Sequence, residues 1–519
     1  MLNLGSMLTA CARRHPARDA VVCGDRHVTF AELEARANRL ANALRGIGLR
    51  TGDRVALHLP NGIAVIEAMA AVLKAGGIVV PISTRLARPE IRYMLQDAAP
   101  FAIVFAPELR EAVRHAAEGL DDIRFLVAGQ ASAGETGLDG LIAGASDRPP
   151  DIAPFAPDDA VIGYTSGTTG RPKGALSTHR NLVIGQGWFI GLEFGHTADD
   201  RLLCATPMAH RTGIARVAVS FCVGCTLIVQ ERFDPAETVR LIEAQGATHV
   251  GVVPTIARML LAEIEKRPAA CAGLKAMLAT GEVFPVPVKE RLFAALPALR
   301  LHSYYAQTEA GMVSHLRPEQ QRVFPSSMGQ PIPGVEIRIV DDDLRDVAPG
   351  DPGEVLSRAG APGEFMLMRE YFNRPEDTEA TILDGGWLRT GDMARLGEDG
   401  HLYFVDRVKD MIVSGGLNIY SKEVEDALLT HPAVSEAAVV GVPDAEFGEA
   451  VMAFIVPKDA EPPTPEALID HCRTLIAGYK KPRHVRFVAA LPRNSANKVA
   501  KHELRRQAQA ALTAASGAV

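Results

Sequence analysis

The segment from Tyr164 to Gly174 constrains this chain more than any other part of it, because its composition suits phosphate binding. It reads Tyr-Thr-Ser-Gly-Thr-Thr-Gly-Arg-Pro-Lys-Gly, which combines three glycines and two cations with a run of hydroxyl side chains. Glycine lets the backbone turn its N–H groups toward one anion, while hydroxyls and cations add donors around it. The apolar strand candidate Ala160–Ile162 precedes the segment, which favours a phosphate loop over a solvated connector.

This loop is not a Walker A motif. Counted from Gly167, the second glycine of that motif would fall on Pro172. Lys173 is then followed by Gly174 and not by serine or threonine. The loop therefore predicts binding of a nucleotide or another phosphate without placing the chain among the P-loop proteins.

Length and charge limit the remaining function classes. A chain of 519 residues is too long for one core, so we expect two or three domains. The 55 Lys and Arg against 62 Asp and Glu give a net charge of −7, which offers no global attraction for nucleic acid. An anionic substrate must therefore be met by local cations.

The cysteines and the apolar stretches point to a cytoplasmic protein. Seven scattered cysteines are typical of reduced thiols, and we interpret Cys222 and Cys225 as core residues. The longest uncharged apolar stretch, residues 217–229, is too short to cross a bilayer. No secretory signal is evident at the N-terminus, so we expect no integral membrane segment.

The first hundred residues alternate between helix and strand patterns. Thr29–Glu32 predicts a capping box at the start of a helix. Strand Val55–Leu59, helix Ile63–Lys74 and strand Ile78–Val80 predict a βαβ unit with parallel strands. The same rhythm recurs at Thr226–Val229, Pro235–Gln245, Thr248–Val253 and Thr255–Glu265.

The pattern changes after about residue 335, where Val335–Val340 and turns rich in Gly, Pro and Asp predict a β-rich module. Beyond residue 407 we expect helix Ser421–Leu429, strands near Ala437–Val442 and Val451–Val456, helix Pro465–Ile476 and a polar tail. The predicted fold class is α/β. A large multi-subdomain N-terminal domain with βαβ-type sheets spans residues 1–407, and a small mobile α+β domain spans residues 408–519.

Five further clusters follow a fixed order around the loop. They are Thr206–Gly213, Tyr305–Glu309, Gly386–Asp392, Asp406–Ile419 and Pro492–Lys498. Together with the loop they resemble the signature motifs of the adenylate-forming superfamily, which contains acyl- and aryl-CoA ligases, peptide-synthetase adenylation domains and firefly-type luciferases. The resemblance covers essentially the whole chain and is greatest to the fatty-acyl and 4-chlorobenzoate-type CoA ligases.

The resemblance implies an ATP site with a bound magnesium ion. Tyr305 would stack on adenine, Thr308 would contact phosphate, and Glu309 would hold Mg²⁺ that bridges the ATP phosphates. Asp392 would bind the ribose hydroxyls, and Arg407 would contact the nucleotide. The implied cofactor-binding residues are Thr165, Ser166, Gly167, Thr168, Thr169, Gly170, Lys173, Gly281, Glu282, Tyr305, Ala306, Gln307, Thr308, Asp392, Arg407, Gly415 and Gly416.

The catalytic residues implied by the resemblance are Lys498, His210, Glu309 and Thr165. Lys498 would reach the α-phosphate and the substrate carboxylate, although Asn497 stands where the family commonly has glycine. His210 would lie beside the acyl carboxylate. The acyl pocket would be lined by Trp188, Phe189, Ala209, His210, Gly213, Gly281, Ala306 and Gly311.

In this superfamily the small domain rotates between two half-reactions. Lys409 corresponds to the hinge residue, and Gly415 and Gly416 would border the pantetheine tunnel. The expected reaction is formation of an acyl-adenylate from ATP and a carboxylic acid, followed by transfer to the co-substrate coenzyme A. A carrier-protein adenylation enzyme, a luciferase-like oxygenase and a non-enzymatic nucleotide-binding protein are the alternatives. The expected partner is a small carboxylic acid and not nucleic acid, with a homodimer left open.

Overall fold

The structure is a computed structural model that describes residues 2–152, 158–165, 172–444, 446–458, 461–494 and 498–516. For residues 511–516 it describes the backbone alone. In this part of the chain, no helix combines the length and the apolar character that crossing a membrane requires.

The α-helices of the described residues are α1 (Leu4–Arg14), α2 (Phe30–Gly46), α3 (Ile63–Lys74), α4 (Arg88–Ala98), α5 (Arg110–Ala116), α6 (Leu138–Ile142), α7 (Ile190–Glu193), α8 (Arg211–Val223), α9 (Pro235–Ala244), α10 (Pro254–Lys266), α11 (Val286–Ala295), α12 (Pro375–Thr381), α13 (Ser421–Leu429), α14 (Pro465–Leu475) and α15 (Lys501–Ser516). A π-helix spans Asn181–Phe189. Short 3₁₀ turns span Pro107–Leu109, Pro268–Cys271, Pro318–Gln320, Asp384–Gly386 and Val408–Asp410.

The strands of the first 330 residues are β1 (Asp19–Cys23), β2 (Arg26–Thr29), β3 (Arg54–His58), β4 (Ile78–Pro81), β5 (Ala102–Phe105), β6 (Arg124–Val127), β7 (Thr136–Gly137), β8 (Asp159–Thr165), β9 (Lys173–Thr178), β10 (Arg201–Cys204), β11 (Thr226–Val229), β12 (His249–Val252), β13 (Ala276–Ala279), β14 (Arg300–Gln307), β15 (Gly311–Leu316) and β16 (Gln330–Pro331). The later strands are β17 (Glu336–Val340), β18 (Gly353–Arg358), β19 (Glu370–Tyr371), β20 (Ile382–Leu383), β21 (Trp387–Leu396), β22 (Leu402–Arg407), β23 (Ile412–Ser414), β24 (Leu417–Ile419), β25 (Val434–Asp444), β26 (Gly448–Pro457) and β27 (His484–Phe487).

The chain forms two compact units. The first contains residues 1–337 and 356–390, and the second contains residues 338–355 and 391–519. The chain passes between the units within β17, β18 and β21, which belong to a five-stranded sheet with β20 and β22. The division into two compact units does not show that they move, so the hinge expected near residue 408 stays a prediction.

A nine-stranded sheet in the first unit has the order β16-β15-β14-β13-β12-β10-β11-β1-β2. Its central strands, from β14 to β1, all run parallel. Helices α8 to α11 connect strands of this sheet, and buried side chains such as Leu260 and Leu292 pack against it. The carboxyl ends of these six adjacent strands therefore lie along one edge, the usual position of ligand sites in α/β sheets.

The second sheet of this unit has the order β19-β9-β8-β4-β3-β5-β6-β7. Strands β3, β4, β5, β6, β7 and β8 run parallel, while β9 returns antiparallel beside β8. The β8–β9 hairpin places Thr165 opposite Lys173, and the phosphate loop connects these two residues. The sheet thus fixes both ends of that loop.

The second unit contains a five-stranded sheet in which β24, β23, β26 and β25 are neighbours and β27 pairs with β26. Helices α13 and α14 pack on one apolar cluster that includes Val439 and Ile455. Helix α15 contributes Leu504 and Ala508 to a second cluster with Val440 and Phe454.

The α/β fold class is confirmed, and most predicted elements are present. The capping box of α2 is formed, with Thr29 and Glu32 bonding reciprocally. The predicted βαβ unit is confirmed by the parallel pairing of β3 and β4. Cys222 and Cys225 are buried, as expected of core residues.

The prediction of a polar tail after residue 476 was wrong. The chain forms β27 there and ends its described part in α15, a 16-residue helix. Its apolar positions, Leu504 and Ala508, are four residues apart and so lie on one helical face. Charged and polar residues and alanines make up most of the rest of the segment, so this narrow stripe was not recognised from the sequence.

Replacing Leu504 with alanine tests the packing of α15. Leu504 is fully buried, so Leu504→Ala should lower the free energy of unfolding of the second unit by about 2–5 kcal/mol. Urea denaturation followed by circular dichroism measures this loss. Gln507→Ala, at an exposed position of the same helix, should change stability by less than about 0.5 kcal/mol. Equal stability of both variants would contradict the docking of α15.

Candidate active site

Glu309 is the centre of the candidate site in the first unit. Its Oε1 accepts hydrogen bonds from Thr165 Oγ1 at 3.0 Å and from Tyr371 Oη at 2.9 Å. Its backbone oxygen accepts a bond from Met368 N at 2.8 Å. Residues from the end of β8, the turn after β14 and strand β19 therefore meet at one carboxylate. This brings together Thr165 and Glu309, which the sequence placed 144 positions apart.

Tyr371 is a neutral donor in this cluster. Burial, followed by the Glu309 carboxylate, raises the pKa of its phenol well above the usual range. The hydroxyl group therefore keeps its proton at any working pH and donates to Glu309. Two hydroxyls on one carboxylate oxygen make an all-oxygen group, the donor chemistry that Mg²⁺ prefers.

Lys173 provides a cation at the end of the phosphate loop. Its ammonium pairs with Asp377 of α12 and lies 5.2 Å from the centre of the Tyr371 ring. The side chain is only 13% exposed, so its charge is weakly screened. The remaining loop residues predicted to bind phosphate, Ser166, Gly167, Thr168, Thr169 and Gly170, lie outside the described residues.

Arg211 connects two of the predicted site segments, Thr206–Gly213 on the acyl side and Tyr305–Glu309 on the nucleotide side. Its guanidinium donates to Thr308 O at 2.5 Å and to Ser177 Oγ at 2.9 Å. Burial lowers the pKa of Arg211 to about 10, and the Glu309 carboxylate opposes this shift. The group therefore remains charged at neutral pH and places a cation close to Glu309.

The predicted acyl-side residues begin helix α8. His210 is its N-cap residue, and the His210 carbonyl accepts bonds from Gly213 N at 2.9 Å and Ile214 N at 3.2 Å. Gly213 is required for space, because a Cβ there would lie 2.5 Å from Met208 Cα. Asn61 fixes the preceding segment by bonding Thr206 O and Met208 N. Ala209 is partly exposed within this fixed turn.

The nucleotide-side residues follow neighbouring strands of the nine-stranded sheet. Gly281 and Glu282 follow β13 after Thr280, while Tyr305, Ala306 and Gln307 end β14. Gln307 Nε2 donates to Tyr305 Oη at 3.2 Å and to Thr390 O at 2.9 Å. Gly311 begins β15 after the Thr308–Ala310 turn. The carboxyl edge of this sheet therefore carries most of the predicted site of the first unit.

Trp188 and Phe189 lie at the end of the π-helix that packs on α8. The Phe189 ring packs edge-on against Phe365 with 5.3 Å between centroids, whereas Trp188 is 44% exposed. A π-helix is rare and frequently marks a functional site.

Four predicted site residues of the second unit lie in or beside its strands. Asp392 of β21 faces Arg407 of β22, and the Arg407 Nε lies 3.2 Å from Asp392 Oδ1. Lys409 lies in the turn after β22, where its carbonyl accepts a bond from Arg505 of α15 at 2.9 Å. Burial, then the charge of Arg407, lowers the pKa of Lys409. Lys498 follows the undescribed residues 495–497, and Lys498 N donates to Asn494 Oδ1 at 3.0 Å.

Gly415 and Gly416 form the tight turn between β23 and β24. Their φ angles are +58° and +77°, as a two-residue hairpin turn with left-handed residues requires. A Cβ at Gly416 would meet no described atom within 4 Å. The turn conformation alone therefore accounts for both glycines, and their predicted contact with the pantetheine arm stays a prediction.

Sequence reasoning missed Tyr371 and gave Arg211 no role. Arg211 stands inside the quoted Thr206–Gly213 segment, but only its tertiary contacts reveal its bond to Thr308. Tyr371 lies outside every motif that was used. Its one signal is that an isolated tyrosine ends a short strand between polar turns, which is too common a pattern to predict a site.

Comparisons with known proteins match this arrangement. The sequence profile of the AMP-binding enzyme family matches residues 8–372, and that of the AMP-binding enzyme C-terminal domain matches residues 423–498. Feruloyl-CoA synthase from an Amycolatopsis species is 36% identical over 512 residues, covering 97% of this chain and 99% of that protein. Long-chain-fatty-acid–CoA ligase FadD13 of Mycobacterium tuberculosis is 32% identical over 519 residues, covering 99% and 100%.

The fold also matches solved structures. The crystal structure of ATP-bound MatB from Rhodopseudomonas palustris aligns with a TM-score of 0.87 at 29% identity, covering 97% of this chain and 99% of that one. Both the profile matches and the structural match extend over the two units.

Replacing Tyr371 with phenylalanine removes one of the two hydroxyl donors to Glu309. A hydrogen bond to a charged group contributes about 1.5–3 kcal/mol, so kcat/KM for ATP should fall roughly tenfold or more. Acid-dependent pyrophosphate release measures the change. Tyr479→Phe, at a tyrosine that is 48% exposed, should behave as the wild type. Unchanged kcat/KM for ATP in Tyr371→Phe would rule out a role for this bond.

Proposed function

This chain belongs to the AMP-binding enzyme family, and we propose that it is an ATP-dependent acyl- or aryl-CoA ligase. It would form an acyl-adenylate from a carboxylic acid and ATP and then a CoA thioester, releasing pyrophosphate and AMP. The meeting of Thr165 and Tyr371 at Glu309 supports this proposal, because it brings together side chains of the kind that bind phosphate and a metal ion.

In the first half-reaction the substrate carboxylate attacks the α-phosphorus of ATP. Two anions must approach each other, so positioning and charge neutralisation dominate the catalysis. Lys173 and Arg211 supply cations in the first unit, and Lys498 is proposed to neutralise the reacting groups. Thr165 and the hydroxyls of the undescribed loop would bind the phosphates.

Mg²⁺ would be held by Glu309 with the help of its hydroxyl neighbours. When bound, the ion would neutralise phosphate charge and favour departure of pyrophosphate. The chain itself orients the Glu309 carboxylate through Thr165 and Tyr371, so its oxygens do not have to reorganise when ATP arrives. Arg211 holds the neighbouring Thr308 carbonyl and thereby fixes the turn that carries Glu309.

In the second half-reaction the CoA thiol attacks the acyl carbon and releases AMP. Lys409 would be the hinge between the two steps. Rotation about it would withdraw Lys498 from the reacting groups and bring the Gly415–Gly416 turn to the CoA thiol. Closure of such a domain also excludes water, which would hydrolyse the adenylate. A carrier-protein thiol is the competing acceptor, and assays with free CoA against an acyl carrier protein distinguish the two.

The acid is proposed to be a substituted aryl or a medium- to long-chain acyl acid. The two curated relatives described above act, by name, on ferulate and on long-chain fatty acids. Ala209 is a small side chain at the start of α8, and Phe189 and Phe365 supply aromatic surface in the same unit. Both features suit a large apolar acid, and a panel of fatty and aromatic acids would identify the preferred one.

Replacing Lys498 with alanine separates the two half-reactions. Removing one charge donor from the transition state costs roughly 3–4 kcal/mol, so adenylation should slow by about 100- to 1,000-fold. Lys498→Ala should still form acyl-CoA from synthetic acyl-adenylate and CoA at close to the wild-type rate. Lys458→Ala, at an exposed lysine of the same unit, is the matched control and should affect neither step. Equal slowing of both steps in Lys498→Ala would contradict the domain alternation.

Replacing Ala209 with phenylalanine tests the acyl pocket. The larger side chain should fill space that bulky acids require, and it should lower kcat/KM for lauric and ferulic acid by about tenfold relative to butyric acid. Steady-state assays with each acid measure the ratio. Ala209→Gly keeps the position small and should leave the preference unchanged. Equal losses for all three acids would place Ala209 outside the pocket.

A further inference from the structure

The edge of the nine-stranded sheet that lies opposite the candidate active site carries a buried polar cluster. Asp200 directly precedes β10, His249 begins β12, and Lys275 directly precedes β13. These are the amino ends of adjacent parallel strands, whereas the catalytic candidates His210 and Glu309 follow the carboxyl ends of β10 and β14. A four-residue strand spans about 13 Å, so the two groups of residues are separate.

His196, Asp200 and His249 converge within this cluster. Each offers one ligand atom, and the three atoms all lie within 4.8 Å of one another. His249 Nδ1 lies 3.7 Å from Asp200 Oδ1. The residues are 8%, 2% and 4% exposed, respectively, so solvent is largely excluded from all three.

His196 has no hydrogen-bond partner for either ring nitrogen among the described residues. Its ring lies 4.4 Å from that of His249, centroid to centroid, and so faces the cluster. A buried polar group without a partner is costly, and native structures usually satisfy such groups with a protein atom, water or an ion. Both ring nitrogens of this buried imidazole are therefore available to a water molecule or an ion at this point.

Hydrogen bonds from neighbouring residues hold the Asp200 carboxylate in place. Thr197 N and Oγ1 donate to its Oδ2 at 2.8 and 3.0 Å. Its Oδ1 accepts a bond from Thr248 Oγ1 at 3.1 Å and from Lys275 Nζ at 2.8 Å. The Lys275 side chain is 58% exposed, so its ammonium can withdraw into water. The carboxylate oxygen thus already attracts a cation, and that cation is exchangeable.

We propose that His196, Asp200 and His249 form a binding site for a divalent transition-metal ion. Two imidazole nitrogens and one carboxylate oxygen match the ligand preferences of Zn²⁺, with water as the fourth ligand. Mg²⁺ and Ca²⁺ prefer oxygen ligands and match this set poorly. The ion replaces the Lys275 ammonium at Asp200 and joins the loop before β10 to the first residue of β12.

Other charges near the cluster limit the affinity of the site. Buried Arg216 lies close enough to act electrostatically on both histidines, and its positive charge opposes a dication. The positive charge of the Lys275 ammonium also opposes a dication for as long as the ammonium remains at Asp200. Removing the Lys275 charge should therefore strengthen binding, whereas removing a metal ligand should abolish it.

The test uses the full chain, freed of metal by chelation and titrated with Co²⁺ in the absence of ATP and Mg²⁺. Co²⁺ has visible d–d absorption that reports four-coordinate nitrogen and oxygen ligands, and Zn²⁺ should displace it. We expect one equivalent of Co²⁺ and a rise of the thermal unfolding midpoint with metal concentration, because the ion binds the folded state. Lys275→Gln should bind Co²⁺ about tenfold more tightly, because a positive charge beside Asp200 is removed.

Two variants decide the outcome. His196→Phe removes one ligand and the unpartnered ring nitrogens together, so it should lose the Co²⁺ spectrum while remaining at least as stable as the metal-free wild type. His471→Gln breaks the surface pair of His431 and His471, whose rings lie 5.1 Å apart, and should keep the spectrum. Absence of Co²⁺ binding to the wild type, an unchanged spectrum in His196→Phe, or loss of the spectrum in His471→Gln would each overturn the proposal. If His196→Phe fails to fold, Asp200→Asn applies the same test.

Discussion

The contact of two hydroxyl groups with one oxygen of Glu309 is the interaction on which the candidate site depends. Thr165 comes from the end of β8, Tyr371 from β19, and Glu309 from the turn after β14. The first two strands belong to the eight-stranded sheet and the third to the nine-stranded sheet. One carboxylate therefore fixes the relative position of the two sheets where the phosphate loop begins. The contact thus brings the first residue of the loop to Glu309, the predicted metal-binding residue, although the two belong to separate sheets.

Charge is distributed around this contact in a way that suits the chemistry of two anions. The chain as a whole is negative, at −7, so it does not attract ATP over its entire surface. Lys173 and Arg211 instead place cations in partly buried positions around the loop and the Glu309 turn. Buried charges interact strongly because they are weakly screened. Two fixed cations beside one fixed carboxylate are the arrangement expected of the proposed site, because a magnesium–phosphate complex carries charges of both signs.

Most elements and the fold class could be predicted from the sequence because their signals are local. The Thr29–Glu32 capping box and the apolar run from Ile63 to Lys74 each determine a helix within a few residues. Helix α15 was missed because only Leu504 and Ala508 among its described side chains are buried, which leaves a stripe too narrow to outweigh its charged residues. Tyr371 and the contacts of Arg211 could not be predicted, since they depend on which distant segments meet. Gly415 and Gly416 are the opposite case. They were predicted to contact a ligand, but the local turn alone accounts for both glycines.

Isotope exchange between pyrophosphate and ATP tests whether the first unit assembles an adenylate-forming centre. The enzyme, Mg²⁺, ATP and labelled pyrophosphate are incubated with a candidate carboxylic acid in the absence of CoA. Reversible formation of an acyl-adenylate predicts label in ATP that depends on both the acid and the enzyme. Label that requires CoA, or no exchange with any acid that the enzyme converts to a thioester, would contradict an adenylate intermediate.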